Sequence, residues 1–156
     1  MLPLLAIIAA KYLFLLSFVI AFFSFFKLSA TERRRLFFFG LVALPMIFCT
    51  AVVASHFYDN PRPFVVLQFV PLIPHAPDNG FPSDHVLLVS AIAAIFMYFD
   101  RRAAALLWGV TLLVAIGRVT VGVHHATDVI ASMLIALLCV FVVDYVLMFI
   151  MKKIYG

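Results

Sequence analysis

Three short polar clusters interrupt an otherwise apolar chain: Arg62-Pro63, Pro82-Ser83-Asp84-His85, and Arg118 followed by His124 and Asp128. Together they supply two guanidiniums shaped to clamp phosphate oxygens, a hydroxyl, two imidazoles and a carboxylate, which is the inventory for moving a phosphoryl group. In the third cluster Gly122 weakens the helix after Arg118, and a new helix is expected to start near Thr127. At helical spacing His124 and Asp128 stand one turn apart on one face. A carboxylate bonded to one ring nitrogen fixes the tautomer and leaves the other nitrogen free to attack. The N-terminal end of the same helix adds backbone N–H groups and partial positive charge where an anion would sit. In the second cluster Ser83 is placed to donate to a phosphate oxygen or to cap a helix. His85 is placed to give a proton to a leaving oxygen and later to activate water.

The elements that must position these residues are membrane helices. Of the 156 residues 67% are hydrophobic and only 12% charged, and the mean hydropathy is +1.21, far from the soluble norm of roughly half apolar and about a quarter charged. The reading is an all-α, polytopic integral membrane bundle forming a single domain, 1–156. Five spans are expected, over about residues 3 to 26, 36 to 55, 84 to 99, 103 to 121 and 127 to 150. The first opens at Met1 without a basic n-region and reads as a retained helix. Residues 56 to 83 hold six of the eight prolines and read as a loop, whose apolar middle is too short to span. Pro45 is expected to kink the second span. Cys49 and Cys139 fall inside apolar runs, which suggests neither a disulfide framework nor a thiolate metal site.

Loop charge orients the bundle. Lys27 and Arg33 to Arg35 follow the first span, Arg101 and Arg102 the third, Lys152 and Lys153 the fifth. Short basic loops stay cytoplasmic, so the N-terminus is expected outside and the C-terminus in the cytoplasm. All three polar clusters then border the outer connections, and the five histidines lie there too. The net charge of +4 is accounted for by these loops and the clusters, and no nucleic-acid partner is needed to explain it.

The three clusters resemble the signatures of the type 2 phosphatidic acid phosphatase superfamily, Lys-x6-Arg-Pro, Pro-Ser-Gly-His and Ser-Arg-x5-His-x3-Asp, in order across residues 55 to 128. The resemblance implies His124 as the nucleophile of a phosphohistidine, Asp128 as its orienter and His85 as acid and base. Arg62, Ser83 and Arg118 would hold phosphate, with no metal and no other cofactor. The family's usual bundle has six helices, against five counted here. Phe81-Pro82-Ser83-Asp84-His85 is similar to the branch that hydrolyses undecaprenyl diphosphate to undecaprenyl phosphate at the outer face of the bacterial cytoplasmic membrane. That substrate is the expectation, with membrane lipid as surroundings and no obligate protein partner inferred.

Three positions depart from the signatures: Ser55 stands at the family lysine, Gly117 at the serine before the arginine, and Asp84 at the glycine of the second motif. Lys11, an ionisable side chain in the outer half of the first span, is a candidate to replace the missing cation; the alternative is snorkelling to the headgroups. Asp84 adds negative charge beside an anion site and calls for pairing with Arg62 or Arg118 or for a protonated group to meet it. His56, His75 and His125 read as interfacial polar residues, with His125 able to line the pocket. Rival readings are a phosphatase of phosphatidylglycerophosphate, phosphatidic acid or lipid A, a catalytically silent lipid-phosphate binder, and a zinc site built from the outer histidines.

Overall fold

The computed structural model describes residues 1–155, with side chains through Ile154. Seven helices follow in chain order: α1 (Leu2–Lys11), α2 (Phe14–Lys27), α3 (Ala30–Phe57), α4 (Pro63–Val66), α5 (Asp84–Phe96), α6 (Arg101–Thr120) and α7 (Ala126–Tyr155). Among the described residues the one extended pairing is an antiparallel bridge between Pro61 and Asn79. The chain is an all-helical membrane bundle.

Local chemistry sets the helix starts at the basic end. Ser29 Oγ accepts from Glu32 N at 3.2 Å while Glu32 Oε2 accepts from Ser29 N at 2.9 Å, a reciprocal cap that begins α3. Asp100 Oδ1 accepts from Arg102 N and Ala103 N at 3.0 and 3.1 Å and begins α6. Pro45 lies inside α3, which runs on through it as one helix.

By length and composition α3, α6 and α7 can each cross a bilayer, and α1 with α2 can do so as one span bent by 52°. The continuous helix expected over residues 3 to 26 is therefore broken at Tyr12 and Leu13. Ile8 O accepts from both Tyr12 N (3.0 Å) and Leu13 N (3.2 Å), a widened turn of the kind that deflects a helix axis. The sequence carries neither Pro nor Gly at this point to announce it. Packing supplies the reason, since α1 lies on α6 while α2 lies on both α6 and α5. Gly117 makes the seat for α1: a Cβ there would stand 2.7 Å from Ala10 N and 2.9 Å from Ala9 Cβ. Small residues on both sides let the two backbones approach, as membrane helix pairs favour.

The helix expected over residues 84 to 99 ends at Phe96 and gives way to tight turns closed by Ala94 O, Ile95 O and Phe96 O. At 13 residues α5 is too short to cross a hydrocarbon layer of about 30 Å. It packs on α6 and α7 and is flanked by α2 and α3, with Val86, Val89, Ala93 and Ala94 fully buried. Enclosure by protein is what permits a short helix at membrane depth. Of the five crossings expected, four are thus met when the bent pair counts as one, and the fifth is this enclosed helix.

The loop from Tyr58 to Ser83 folds over one end of the bundle. Ile73 anchors it in a cluster with Ala6, Ala10, Val121 and Val123, and Leu72 N donates to Val121 O at 3.0 Å. Val65, Val66, Leu67, Phe69 and Val70 remain exposed and give this end an apolar rim. The opposite end joins the start of α3, the α5–α6 turn and the end of α7, as Thr31, Tyr98, Phe99 and Met151 line one cavity there.

The close seat of α1 yields a stability test. Gly117→Ala forces overpacking against the α1 backbone and is expected to cost about 1–3 kcal/mol, read as a lower melting temperature in detergent. Gly109→Ala, on the same helix with open space around its Cβ position, should leave the melting temperature unchanged or raise it.

Candidate active site

Four helix ends and the loop meet around His124, which sits between α6 and α7 and is 3% exposed. Its Nδ1 lies 2.9 Å from Gly80 O and 3.4 Å from Asp128 Oδ2. Both are acceptors, so the ring proton belongs on Nδ1 and the Nε2 lone pair faces the other way. The shorter contact is to the carbonyl. Asp128, expected to orient the ring, faces the same nitrogen as Gly80 O and adds its charge from one side. The Asp128 carboxylate is itself fixed, accepting from Asn60 Nδ2 at 2.6 Å and His125 N at 2.8 Å.

Two guanidiniums converge on the free ring nitrogen. Arg62 Nη1 lies 3.3 Å and Arg118 Nη2 3.2 Å from His124 Nε2. Arg62 is held on every side: Nε donates to Asp78 Oδ1 at 2.7 Å, Nη1 to Val123 O at 2.9 Å and Nη2 to Asn79 O at 3.5 Å. Asp78 pairs from the solvent side, and the bond to Arg62 holds its carboxyl below the usual carboxylate range. Arg118 is less committed. Its Nε is buried with no hydrogen-bond partner among the described residues, and its Nη2 is shared between His124 and His75 Nε2, the latter at 3.2 Å. Burial lowers the His124 pKa below the ordinary imidazole value, with Arg118 and Arg62 pushing the same way and Asp128 opposing them.

Ser83 opens α5 as its N-cap residue, yet its side chain makes no cap bond and its Oγ is buried with no hydrogen-bond partner among the described residues. The backbone is secured elsewhere: Ser132 Oγ bridges Ser83 O and Asp128 O at 3.0 and 2.8 Å, tying α5 to α7. The hydroxyl is therefore left free to donate. His85, half-buried in the first turn of α5, packs edge-on to Phe14 with ring centroids 5.2 Å apart. It lies within electrostatic reach of Arg118, Asp84, His124 and His75. Asp84 is exposed in the first turn of α5, where a carboxylate suits the helix dipole, and lines a polar hollow with Ser55, His56, Arg62 and Asp78.

The structure thus brings Arg62, Ser83, Arg118, His124 and Asp128 into one buried cluster, with His85 beside it. Lys11 lies apart, exposed at the end of α1 with Nζ 5.4 Å from the Tyr12 ring centroid. Ser55 lines the polar hollow on the far side of Arg62, its Oγ bonded to Val52 O.

Several participants carry no motif. Asn60, Asp78 and Asn79 read locally as turn residues, but Asn60 fixes Asp128 and Asp78 fixes Arg62. Asn79 ties the loop together through Asn60 N, Phe81 N, Ser55 O and Tyr58 O. Gly80 is required by space, since a Cβ would meet Asn60 O at 3.1 Å and Asp128 Oδ2 at 3.2 Å. His125 donates from Nε2 to Pro61 O at 3.0 Å and supports the loop. The signal in the sequence is the Asn, Asp and His content around the first two clusters, in Asp59, Asn60, His75, Asp78 and Asn79.

Chemically, the arrangement can receive a tetrahedral oxyanion. Two buried guanidiniums, one paired with Asp78 and one only partly compensated, flank a ring nitrogen with an in-plane lone pair, and the ring's other nitrogen is already bonded. His75 and His124 both turn nitrogen toward a guanidinium, a setting that suits an anion between them.

The profile of the PAP2 superfamily matches residues 35–152. Undecaprenyl-diphosphatase BcrC of Bacillus subtilis is 30% identical over 107 residues, which are 69% of this chain and 55% of that protein. The chain accordingly spans about half the length of that relative. Among solved structures, LpxE of Aquifex aeolicus superposes with a TM-score of 0.64 at 20% identity, covering 90% of this chain and 93% of that one. A PAP2 type phosphatidylglycerolphosphate phosphatase of Bacillus subtilis gives 0.55 at 19% identity, covering 91% and 82%. These two likenesses speak for the fold. With the profile spanning both helical arms of the site, the chain belongs to the PAP2 superfamily.

Proposed function

We propose that this chain is a lipid phosphatase that removes the terminal phosphate of undecaprenyl diphosphate through a phosphohistidine on His124. The observation that carries the reading is the convergence of Arg62 and Arg118 on His124 Nε2, with Nδ1 bonded away from them. The substrate choice is supported by the name of the BcrC relative and by the Phe81-to-His85 stretch.

In the first step the Nε2 lone pair of His124 attacks the terminal phosphorus and the bridging P–O bond breaks. Arg62, Arg118 and Ser83 hold the three non-bridging oxygens, and their charge and donors match what builds up in the transition state. His85 gives a proton to the departing oxygen, which for a diphosphate belongs to a lipid phosphate and needs less protonation than an alkoxide. In the second step His85 takes a proton from water, the water oxygen attacks phosphorus, and the P–N bond breaks to release inorganic phosphate. Asp128 and Gly80 keep the ring aligned and stabilise its positive charge while it carries the phosphoryl group.

Orientation follows from the basic end. Lys27, Arg33 to Arg35, Arg101, Arg102, Lys152 and Lys153 gather opposite the site, which favours a cytoplasmic basic end and an extracytoplasmic site in a bacterial cytoplasmic membrane. The N-terminus is then outside.

Phosphate release from a panel of lipid mono- and diphosphates is the direct test. Undecaprenyl diphosphate should be turned over, and absence of release from every lipid phosphate would refute the reading. His124→Ala should abolish release and any acid-labile phosphoryl label on the protein. His85→Ala should slow release by about 10²–10⁴-fold, the usual scale for a positioned general acid.

The pH behaviour follows from the lowered pKa of His124. A lowered value means the ring sheds its proton at lower pH than a free imidazole, whose ordinary value is about 6.5, so the nucleophile is neutral at that pH and above. An NMR titration of His124 in substrate-free protein should have its midpoint below that value. Asp128→Asn removes the group that raises it and should move the midpoint lower still.

A further inference from the structure

His75 takes no part in the two steps above, yet it is wired into the same cations. Its Nε2 lies 3.2 Å from Arg118 Nη2, the nitrogen that also meets His124 Nε2. The two rings stand edge to face with centroids 6.3 Å apart. On the outer side His75 Nδ1 lies 3.4 Å from Ala76 O and 4.0 Å from Asp78 Oδ1, and Asp78 in turn holds Arg62 at 2.7 Å.

The cluster therefore contains two imidazole–carboxylate couples facing one pair of guanidiniums. They differ in depth. The His124 and Asp128 side chains are 3% and 0% exposed, those of His75 and Asp78 25% and 60%. The first couple forms the floor of the site and the second its rim. Arg62 Nη1 and Arg118 Nη2 flank His124 Nε2 at 3.3 and 3.2 Å, so a phosphoryl group seated there meets both guanidiniums without His75. The remainder of the headgroup must leave past the rim.

Resting on the lipid-phosphatase reading, we propose that His75, placed at the rim with Nδ1 toward Ala76 O and the Asp78 carboxylate nearby, is a specificity-determining residue that binds the second, non-transferred phosphate of a diphosphate headgroup. A diphosphate brings more negative charge than a monoester, beyond what two guanidiniums match when one of them is already paired with Asp78. In the free site burial, then Arg62, hold His75 below the ordinary imidazole range, so Nε2 accepts from Arg118. With a second phosphate at the rim, His75 takes up a proton from solvent, Nε2 donates to a phosphate oxygen, and Nδ1 faces Asp78 and Ala76 O. Arg118 is released to donate wholly toward the floor. A phosphate monoester offers the rim no such partner.

The test is the ratio of kcat/KM for undecaprenyl diphosphate to kcat/KM for phosphatidic acid, measured with the purified full chain in detergent. His75→Ala should lower this ratio about tenfold or more, chiefly through KM for the diphosphate, as expected for one lost charge-assisted bond. His75→Lys, which restores a cation at the rim, should recover most of it. A ratio within about twofold of wild type in His75→Ala, whether both substrates suffer or neither does, overturns the assignment. Where the alanine variant does not fold, His75→Lys and His75→Gln decide between them: the charged replacement should keep the selectivity and the neutral one lose it, and equal ratios overturn the assignment. Wild-type protein that released phosphate from the monoester and not from the diphosphate would overturn this inference while leaving the phosphatase reading standing. Wild-type protein inert toward both lipids would overturn both.

Discussion

Two buried guanidiniums share one imidazole nitrogen, and the rest of the architecture serves that arrangement. Like charges brought together away from water are costly unless acceptors and counter-charges surround them. Arg62 is compensated fully, by Asp78 and by the carbonyls of Val123 and Asn79. Arg118 is compensated only in part, since its Nε has no partner among the described residues. The imbalance leaves positive potential directed at His124 Nε2, a site ready for an anion whose own charge completes the balance. The neutral ring is the counterpart of this field, because burial and the two cations together disfavour a proton on the ring nitrogen they face.

Holding that geometry requires backbones to approach more closely than side chains normally allow. Gly117 lets α1 rest on α6 one residue before Arg118, and Gly80 lets the loop pass between Asn60 and Asp128 while lending its carbonyl to His124. Ser132 bolts the start of α5 to the first turn of α7, so Ser83 and Asp128 move as one unit. The shortness of α5 belongs to the same design: a helix enclosed by its neighbours can begin below the membrane surface, which lets Ser83 and His85 meet residues on longer helices. The loop closes the cluster from above with Ile73 as its apolar anchor and Asp78 as its ionic one.

Neighbouring departures from the family signatures acquire physical meaning here. The serine-to-glycine change at Gly117 is explained by the α1 contact, which has no room for a side chain. Asp84 sits in the first turn of α5 with exposure enough to stay hydrated, and lines a polar hollow behind Arg62 rather than the floor around His124. Ser55 borders the same hollow. Lys11, at the break between α1 and α2, remains over Tyr12 and outside the hydrogen-bonded cluster.

The sequence by itself determined the helical membrane class, the long spans and the spacing of the three polar clusters. Apolar runs of bilayer length have few alternatives in lipid, and the four-residue spacing of His124 and Asp128 is a local relation. It also marked the basic end, since loop charge needs no coordinates. Only the tertiary structure decided that α1 and α2 form a bent pair, because the bend answers to packing on α6 and leaves no Pro or Gly behind. Only tertiary structure, too, recruited Asn60, His75, Asp78 and Gly80. Asn, Asp and Gly serve turns and ion pairs equally well, so their types are ambiguous along the chain. Asn60 meets Asp128 across 68 positions and His75 meets Arg118 across 43, and contacts between such remote residues exist only once the bundle has closed.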